Sequence, residues 1–247
     1  MRGDGIMIVL FTDFGLEGPY LGQVKAVLLQ EAPHVPVIDL FANAPACNPQ
    51  AASYLLHAYA RGFPPGTVFL CVIDPGVGSR ERRPVVVRAD EHCFVGPDNG
   101  LFNRVAQTAH AVQWQEILWR PDSLSATFHG RDLFAPVAAR LARDDLPAGM
   151  LGASFSCSLD DWPQDLYEVI YIDHFGNAMT GMGGGRLGDD AILVVKGRQI
   201  AYAHHYAEVP RGEAFWYRNA NGLVEIAVNC GSAAHNLGLR IGDSVSF

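Results

Sequence analysis

The residues best suited to chemistry lie in the segment CVIDPGVGSRERRP, residues 71–84. An apolar run ends at Asp74, two glycines follow, and Arg80, Arg82 and Arg83 fall within four positions. A carboxylate can orient water, and an arginine that faces a pocket favours an anion such as hydroxide. Arginines in a solvated turn would give the same pattern, so both interpretations stay open. The GxxxxGK[ST] and GxGxxG spacings are absent, which makes phosphate binding a weak interpretation.

A second candidate lies in the segment TFHGRDLFAP, residues 127–136. His129 precedes a predicted helix and can orient water or carry a proton near neutral pH. On local evidence alone, a loop histidine bonded to backbone is the simpler interpretation. The sequence has no HExxH and no cluster with metal-ligand spacing, so we expect no metal. The absence of GxSxG argues against a serine hydrolase of the α/β type.

Several strand-like apolar runs end in an aspartate, namely Asp13, Asp74, Asp98 and Asp173. In open α/β sheets, ligands bind beyond the carboxyl ends of the strands. We therefore expect Asp13, Asp74 and Asp98 to converge on one pocket. Each acid is also suited to capping the turn or helix that follows it, which is a common use of aspartate.

The elements that must position these residues change in character along the chain. The first part alternates apolar strand-like runs with helical patterns, which is typical of βαβ units and a largely parallel sheet. The last part holds short strands between Gly or Asn turns and no convincing helix, which favours an antiparallel barrel or sandwich. We predict an N-terminal α/β domain over residues 1–155, a linker at about 156–165, and a C-terminal antiparallel β-barrel domain over 166–247.

Composition narrows the class of protein. Hydrophobic residues make up 49% of the 247 residues and charged residues 18%, which is typical of a globular enzyme. The net charge of −8 argues against a nucleic-acid or anionic-membrane partner. The first apolar run is too short for a secretion signal or a membrane span. Five scattered cysteines without a CxxC pair indicate reduced thiols, so we expect a cytoplasmic protein.

Six blocks of the sequence resemble the S-adenosyl-L-methionine (SAM) hydroxide adenosyltransferase family, the SAM hydrolases related to fluorinase and chlorinase. The blocks are TDFG (12–15), DPGVGS (74–79), FVGPDNGL (94–101), TFHGRDLFAPVAA (127–139), YIDHFGN (171–177) and EIAVNCGSAAHNLGL (225–239). Each block alone is modestly specific. Six in this order, over nearly the whole chain, are very specific.

The resemblance implies that SAM and water are converted to adenosine and L-methionine, with SAM as the substrate and no cofactor. It also implies a homotrimer in which each active site lies between the N-domain of one subunit and the C-domain of its neighbour. The sulfonium of SAM leaves as a neutral thioether and needs no acid. The enzyme must instead supply an aligned, poorly hydrated nucleophile within about 3–3.5 Å of the 5′ carbon.

The catalytic set that the resemblance implies is an Asp–Arg–His group, matched here by Asp74, Arg82 and His129. Relatives usually place the arginine seven residues after the aspartate, and here that position is Glu81. Aligning RRPVVV with the usual strand suggests a one-residue insertion. This makes Arg82 the first choice and Arg80 the alternative.

The resemblance also implies substrate contacts in the N-domain. Asp13 matches the acid that binds the ribose hydroxyls. Cys47 stands where relatives commonly have an aromatic residue beside the ribose. This departure leaves details of the adenosine pocket open, but not the reaction.

In the C-domain, Asp173 and Asn177 match positions that hold the methionine amino-acid group of SAM from the neighbouring subunit. Tyr206 matches an aromatic position that stacks on adenine. The backbone near Asn229 and Gly231 matches the contact with the adenine edge. The sequence NANG stands where an Asn-Ser-aromatic-Gly pattern is common.

Two other functions remain open at the level of sequence. A halogenase of the same superfamily lacks the Asp–Arg–His set, so the presence of Asp74 and His129 favours water as the nucleophile. A non-catalytic SAM or adenosine sensor would lose this set and keep the ribose acid. The displaced arginine leaves the sensor open.

Overall fold

A computed structural model of the chain describes residues 6–79, 81–157, 159 and 162–247. The chain divides into two compact units. The first comprises Met1–Ser53 and Phe63–Asp160, and the second comprises Tyr54–Gly62 and Asp161–Phe247. The domain bounds of 1–155 and 166–247 remain a prediction.

The first unit is built on a seven-stranded sheet with the order β2-β1-β3-β5-β4-β6-β7. Its strands are β1 (Ile8–Thr12), β2 (Val37–Phe41), β3 (Val68–Val72), β4 (Pro84–Ala89), β5 (His92–Pro97), β6 (Val112–Ile117) and β7 (Leu151–Phe155). Strands β2, β1, β3 and β5 run parallel, whereas β4, β6 and β7 join by antiparallel pairing. Every residue of β1 and β3 is buried, as a sheet covered on both faces requires.

The helices before residue 150 follow the strands they connect. They are α1 (Tyr20–Glu31), α2 (Pro49–Ala60), α3 (Asn103–Thr108) and α4 (Ala135–Ala142). A π-helical turn, Gly130–Phe134, leads directly into α4, and α1 and α4 pack against each other. The fully buried Leu28 of α1 and Phe134 before α4 join the core over β1 and β3.

The second unit consists of antiparallel strands. They are β8 (Leu166–Ile172), β9 (Ala178–Gly183), β10 (Leu193–Val195), β11 (Arg198–Ile200), β12 (Ala214–Arg218), β13 (Leu223–Val228) and β14 (Val245–Ser246). They form a four-stranded sheet, β12-β13-β9-β8, and a three-stranded sheet, β11-β10-β14. Trp216 is completely buried in the core of this unit.

The predicted fold class, an α/β N-terminal part followed by antiparallel β structure, is confirmed. The first sheet is parallel only on the side from β2 to β5, because the two-residue turn between Ala89 and His92 makes β4 and β5 a hairpin, and hairpin strands are antiparallel. Two isolated bridges, Glu168–Ser244 and Tyr202–Trp216, each pair a residue of the four-stranded sheet with a residue near a strand of the three-stranded sheet. Closure of these sheets into a barrel remains a prediction.

One helix of the second unit escaped prediction. Helix α5, Ala233–Leu237, has only five residues, too few for a periodic apolar pattern to emerge. Its ends do carry local signals: the Ser232 hydroxyl accepts a hydrogen bond from the His235 N–H, and Gly238 ends the helix at a φ of 65°. In the part of the chain that the structure describes, no helix has the length and apolar character needed to cross a membrane.

Candidate active site

Two of the predicted acids meet at one edge of the large sheet. Asp13 follows β1 and Asp74 follows β3, and these neighbouring parallel strands are in register with Thr12 opposite Val72. Their carboxyl ends therefore open on the same side, beside a cavity of about 460 Å³. The residues that line it are Asp13, Phe14, Tyr20, Val72, Asp74, Val77, Ser125, Thr127, Phe128, His129, Gly130 and Arg131.

The residues predicted as catalytic form one hydrogen-bonded set. The Nε of Arg82 donates to Oδ1 of Asp74 at 2.9 Å, and its Nη2 donates to Oδ2 of the same carboxylate. The same Nη2 lies 3.1 Å from Nδ1 of His129. The side chains of Arg82 and Asp74 are only 8% and 4% exposed. The geometry is that of a bidentate, nearly buried ion pair, which fixes the carboxylate plane.

Arg82, unlike the other two members of the set, does not line this cavity. It lines a second cavity of about 300 Å³, which also borders His129, Arg83 and Arg120. Of the set, only Asp74 and His129 line the first cavity. The alternative candidate, Arg80, lies outside the described residues.

The contact with Arg82 fixes the tautomer of His129. A guanidinium has donors only, so Nδ1 of His129 must accept its hydrogen bond. The neutral ring then carries its proton on Nε2 and offers a donor there. Burial, followed by the charge of Arg82, lowers the pKa of His129, so the neutral ring is the stable form at neutral pH.

The loop that carries Asp74 and Arg82 is held at both of its ends. Nδ2 of Asn99 donates to the carbonyl of Ile73 at 2.8 Å. The backbone N–H of Asp98 donates to the carbonyl of Arg83 at 2.8 Å, and Arg83 donates back to the Asp98 carboxylate at 2.8 Å. Asp98 thus pairs with Arg83 and does not line the cavity. The expectation that three acids converge is correct for Asp13 and Asp74 and wrong for Asp98.

Two glycines allow the close contacts around the cavity. Gly78 has a φ of +83°, and a Cβ there would lie 2.5 Å from the carbonyl oxygen of Ala126. A Cβ on Gly130 would lie 2.9 Å from Cζ of Phe14. Glycine at both positions therefore brings the Asp74 loop and the β1 end against the segment that holds His129.

Asp13 is held by the residue predicted to lie beside the ribose. The backbone N–H of Cys47 donates to Oδ2 of Asp13 at 3.0 Å, and Cys47 adopts a φ of 55°. Cys47 is exposed and does not line the cavity. Burial raises the pKa of Asp13, while the hydrogen bond from Cys47 opposes that rise.

Sequence reasoning assigned no role to the aromatic wall of the cavity. The rings of Phe14 and Tyr20 pack edge-on or tilted around Phe128, with centroids 5.8 and 5.4 Å from it. The Arg131 guanidinium lies 4.9 Å from the Phe128 centroid and is tied to Asp132 at 2.6 Å. Phe14, Phe128 and Arg131 belong to the TDFG and TFHGRD blocks, so the signal was present in the motifs.

In the second unit, Asp173 and Asn177 form a tight turn. Oδ1 of Asp173 accepts from the backbone N–H groups of Phe175 and Asn177, at 2.9 and 2.8 Å. Nδ2 of Asn177 donates to Oδ2 of Asp173 at 3.1 Å. Asp173 therefore caps the turn that follows its strand. Its predicted contact with the methionine group remains a prediction.

Tyr206 lies partly exposed beside two other aromatic residues of the second unit. Its ring meets Phe215 edge-on with centroids 4.9 Å apart, and its hydroxyl is 3.4 Å from that of Tyr217. The packing leaves the side chain 37% exposed, enough for a flat ligand to contact. The stacking role of Tyr206 remains a prediction.

Asn229 and Gly231 lie in the turn after β13. Nδ2 of Asn229 donates to the Val209 carbonyl at 2.6 Å, and its backbone pairs with Glu213 at 3.0 Å. A Cβ on Gly231 would lie 2.7 Å from a methyl carbon of Val228. These contacts fix the backbone that is predicted to bind the adenine edge.

No three His, Cys, Asp or Glu side chains are grouped to hold a metal ion within the described ranges. The absence of a cofactor remains a prediction.

The fold and the cavity define an α/β protein with an acid–arginine–histidine set at the carboxyl ends of its strands, and the comparisons identify its family. The models of the SAM hydroxide adenosyltransferase N-terminal and C-terminal domains match residues 8–151 and 167–246. The chain belongs to this family, which confirms the resemblance seen in its motifs.

Individual relatives agree with this assignment. The (R)-S-adenosyl-L-methionine hydrolase of Thermus thermophilus is 38% identical over 95% of this chain and 96% of its own. The crystal structure of an uncharacterized conserved protein from Thermotoga maritima is 33% identical, with a TM-score of 0.86 over 97% of this chain and 99% of its own. A fluorinase of Nocardia brasiliensis is more distant, at 23% identity over 97% of this chain and 95% of its own.

Proposed function

We propose that this protein hydrolyses SAM to adenosine and L-methionine by attack of water or hydroxide at the 5′ carbon. The observation that carries the proposal is the hydrogen-bonded set of Asp74, Arg82 and His129 beside the cavity that also holds Asp13. Membership of the family, and the SAM hydrolase activity for which the Thermus thermophilus relative is named, support it.

The reaction balances without a cofactor. An oxygen lone pair of the nucleophile forms a bond to the 5′ carbon as the carbon–sulfur bond breaks. The electron pair of that bond stays on sulfur, which leaves as the neutral thioether of methionine. When water is the nucleophile, one proton is released for each SAM consumed. No general acid is needed at the leaving group, so the residues act on the nucleophile.

The three residues divide this work. Asp74 accepts a hydrogen bond from the attacking water and aligns it, while Arg82 holds the carboxylate plane and supplies a buried positive charge. His129 donates through Nε2 and favours an anionic oxygen such as hydroxide. With Nδ1 engaged by Arg82, the ring works as a donor rather than as a base.

Substrate binding would use both units of the chain. Asp13 binds the ribose hydroxyls, and the aromatic wall of Phe14, Tyr20 and Phe128 excludes water from the cavity. Tyr206 of a neighbouring subunit covers the adenine, and that subunit's Asp173 and Asn177 bind the methionine group. This arrangement requires the homotrimer that the family resemblance implies.

Incubation of the purified protein with SAM tests the proposal. We expect adenosine and L-methionine in equal amounts by chromatography. Asp74→Ala and His129→Ala should each reduce kcat by about 10²–10³-fold, the loss typical when one preorganised hydrogen-bonding group is removed. Asp39→Ala and His110→Ala serve as matched controls, because Asp39 pairs with Lys25 on the surface and His110 is exposed. Unchanged adenosine release in both active-site variants would overturn the assignment.

Two further measurements distinguish the proposed hydrolase from a halogenase and from a sensor. A halogenated adenosine formed with chloride, in the absence of adenosine formation, would identify a halogenase. Binding of SAM without turnover would identify a sensor. Arg82→Lys keeps the charge but loses the bidentate geometry, so its loss of activity would favour Arg82 over Arg80 as the arginine of the set.

A further inference from the structure

A buried carboxylate lies in the second unit at the start of the EIAVNCGSAAHNLGL block, and the proposed reaction gives it no role. Glu225 is the third residue of β13, between β12 and β9, and is 2% exposed. A carboxylate at such a position is costly unless its oxygens are hydrogen-bonded. Both oxygens of Glu225 are bonded, and the partners lead toward predicted ligand-binding residues.

The two donors to Glu225 come from β12 and the turn that follows it. The hydroxyl of Tyr217 donates to Oε1 at 2.5 Å. Nδ2 of Asn219 donates to Oε2 at 2.8 Å. In its ionised form the carboxylate accepts from both sides, as an acceptor-only group should.

The hydrogen bonds continue to Tyr206. A phenol has one proton, and Tyr217 uses its proton on Glu225. Across the 3.4 Å between the two hydroxyls, Tyr206 must then donate and Tyr217 accept. Asn177, which opposes the rise that burial causes in the pKa of Tyr206, donates to Asp173 at 3.1 Å. One chain of hydrogen bonds thus joins Glu225 through Tyr217 to Tyr206.

We propose that Glu225 is a positioning residue that sets the direction of this chain and thereby fixes the Tyr206 ring for its ligand. The proposal rests on the proposed function, because that function assigns adenine to Tyr206. The ionised carboxylate makes every hydroxyl of the chain donate toward Glu225. A neutral group at position 225 can donate instead, which reverses the chain and turns the Tyr206 proton away from Tyr217.

Among the groups around Glu225, the Glu225 carboxylate is the one that sets the direction of the hydrogen bonds. The groups that interact with it are Tyr217, Asn219, Asp173, Tyr206 and Tyr59. Burial raises the pKa of Glu225, and the bonds from Tyr217 and Asn219 oppose that rise. Burial and Glu225 together raise the pKa of Tyr59 to about 12, so this tyrosine stays neutral over the working range of pH.

Glu225→Gln is the sharpest test, because it keeps the shape and replaces one acceptor by a donor. We expect the Kd for adenosine and the KM for SAM to rise about tenfold, as the loss of one hydrogen bond to a charged group predicts. The kcat should change little, since the set of Asp74, Arg82 and His129 belongs to the other unit. Glu168→Gln, on β8 of the same unit, is the matched control.

Tyr217→Phe removes the hydroxyl that links Glu225 to Tyr206, and it should give the same rise in the Kd for adenosine. Because the two residues act through one path, the double variant should bind adenosine no more weakly than the weaker single variant. Fully additive losses would show two independent effects and overturn the proposal. Tyr217→Phe also keeps the test available if Glu225→Gln does not fold.

A ligand-free readout separates this proposal from the proposed function. Carbon-13 NMR of the tyrosine Cζ reports hydrogen bonding of each hydroxyl. The Tyr206 signal should shift in Glu225→Gln and in Tyr217→Phe, and stay in place in Glu168→Gln. An unmoved Tyr206 signal would overturn the proposal even if wild type hydrolyses SAM. A moved signal with no adenosine from wild-type protein would overturn the proposed function and leave the role of Glu225 standing.

Discussion

Arg82 reaches Asp74 and His129, although the family resemblance predicts an arginine one position earlier. Near it, the Ser79 N–H donates to the Gly76 carbonyl and the Glu81 N–H donates to the Ser79 hydroxyl. These bonds fold the chain tightly enough for the Arg82 guanidinium to meet the carboxylate with two hydrogen bonds. At the scale of single residues, a shift in sequence spacing is therefore compatible with an unchanged contact.

The same contact predicts the pH dependence of the reaction. The pKa of His129 is lowered, so the neutral ring predominates at pH 7 and gains a proton only as the pH falls below the ordinary value of about 6.5. The protonated ring cannot accept from Arg82, and two cations then face each other. We expect kcat/KM to fall on the acid side with an apparent pKa below 6.5, measured from initial rates across pH.

An NMR titration of the His129 ring measures the pKa of this ring independently of the kinetics. Arg82→Met should raise the ring pKa, since the charge of Arg82 is one cause of its depression. Asp13→Asn identifies any contribution to the acid limb from Asp13, whose pKa is raised by burial. An acid limb centred above 6.5 would contradict the assigned role.

At the scale of elements, the site depends on how the end of β5 meets the loop between β3 and β4. Asp98 and Asn99 follow β5 and bind the two ends of the loop, at Arg83 and Ile73. The sequence block FVGPDNGL thus holds the loop that begins with DPGVGS in position. Because β5 lies between β3 and β4 in the sheet, the register of these strands fixes the position of Asp98 and Asn99 relative to the loop.

Removing the hydrogen bond that Asn99 donates to the loop should reduce kcat without removing a group that touches substrate. We expect Asn99→Ala to lower kcat by about tenfold and the free energy of unfolding by about 1 kcal/mol, the value of one hydrogen bond. Asn99→Asp places a carboxylate against the Ile73 carbonyl and should be worse. Steady-state kinetics and thermal unfolding measure the two effects.

Gln113→Ala is the control, because it removes a carboxamide from β6 that bonds Ser154 at 2.6 Å. A loss of stability with full kcat in Asn99→Ala would show that the bond serves the fold alone.

At the scale of the whole molecule, the predicted site residues are divided between the two units. Asp13, Asp74 and His129 belong to the first, and Asp173 and Tyr206 belong to the second. Under the proposed function, a neighbouring subunit completes the site, so one chain must carry both sets. Symmetric rings with heterologous interfaces allow every subunit to give one set and receive the other.

Mixed oligomers test this division. Asp74→Ala and Asp173→Ala should each have low activity alone. If subunits refold together at random in equal amounts, about a quarter of the sites receive both intact sets, and activity should recover to about that fraction. Light scattering gives the mass of the assembly. Mixing the two variants without refolding is the control, and no recovery after refolding would place both sets in one subunit.

Much of the fold followed from local patterns. The apolar runs that became β1 and β3 were readable because both faces are buried, and the acids after them marked the strand ends. The five-residue helix α5 was missed because it is shorter than two helical periods. The antiparallel edge of the large sheet was missed because strand direction depends on pairing, which the periodicity of one strand does not encode.

The sequence by itself determined the family, the order of the motifs, the fold class and the identity of Asp74, Arg82 and His129 as candidates. Only the tertiary structure decided that Asp98 pairs with Arg83 instead of joining Asp13, and that Glu225 connects through Tyr217 to Tyr206. The physical reason is that motifs are local along the chain, whereas a hydrogen bond depends on the distance between side chains in space. That distance is set by strand register and packing.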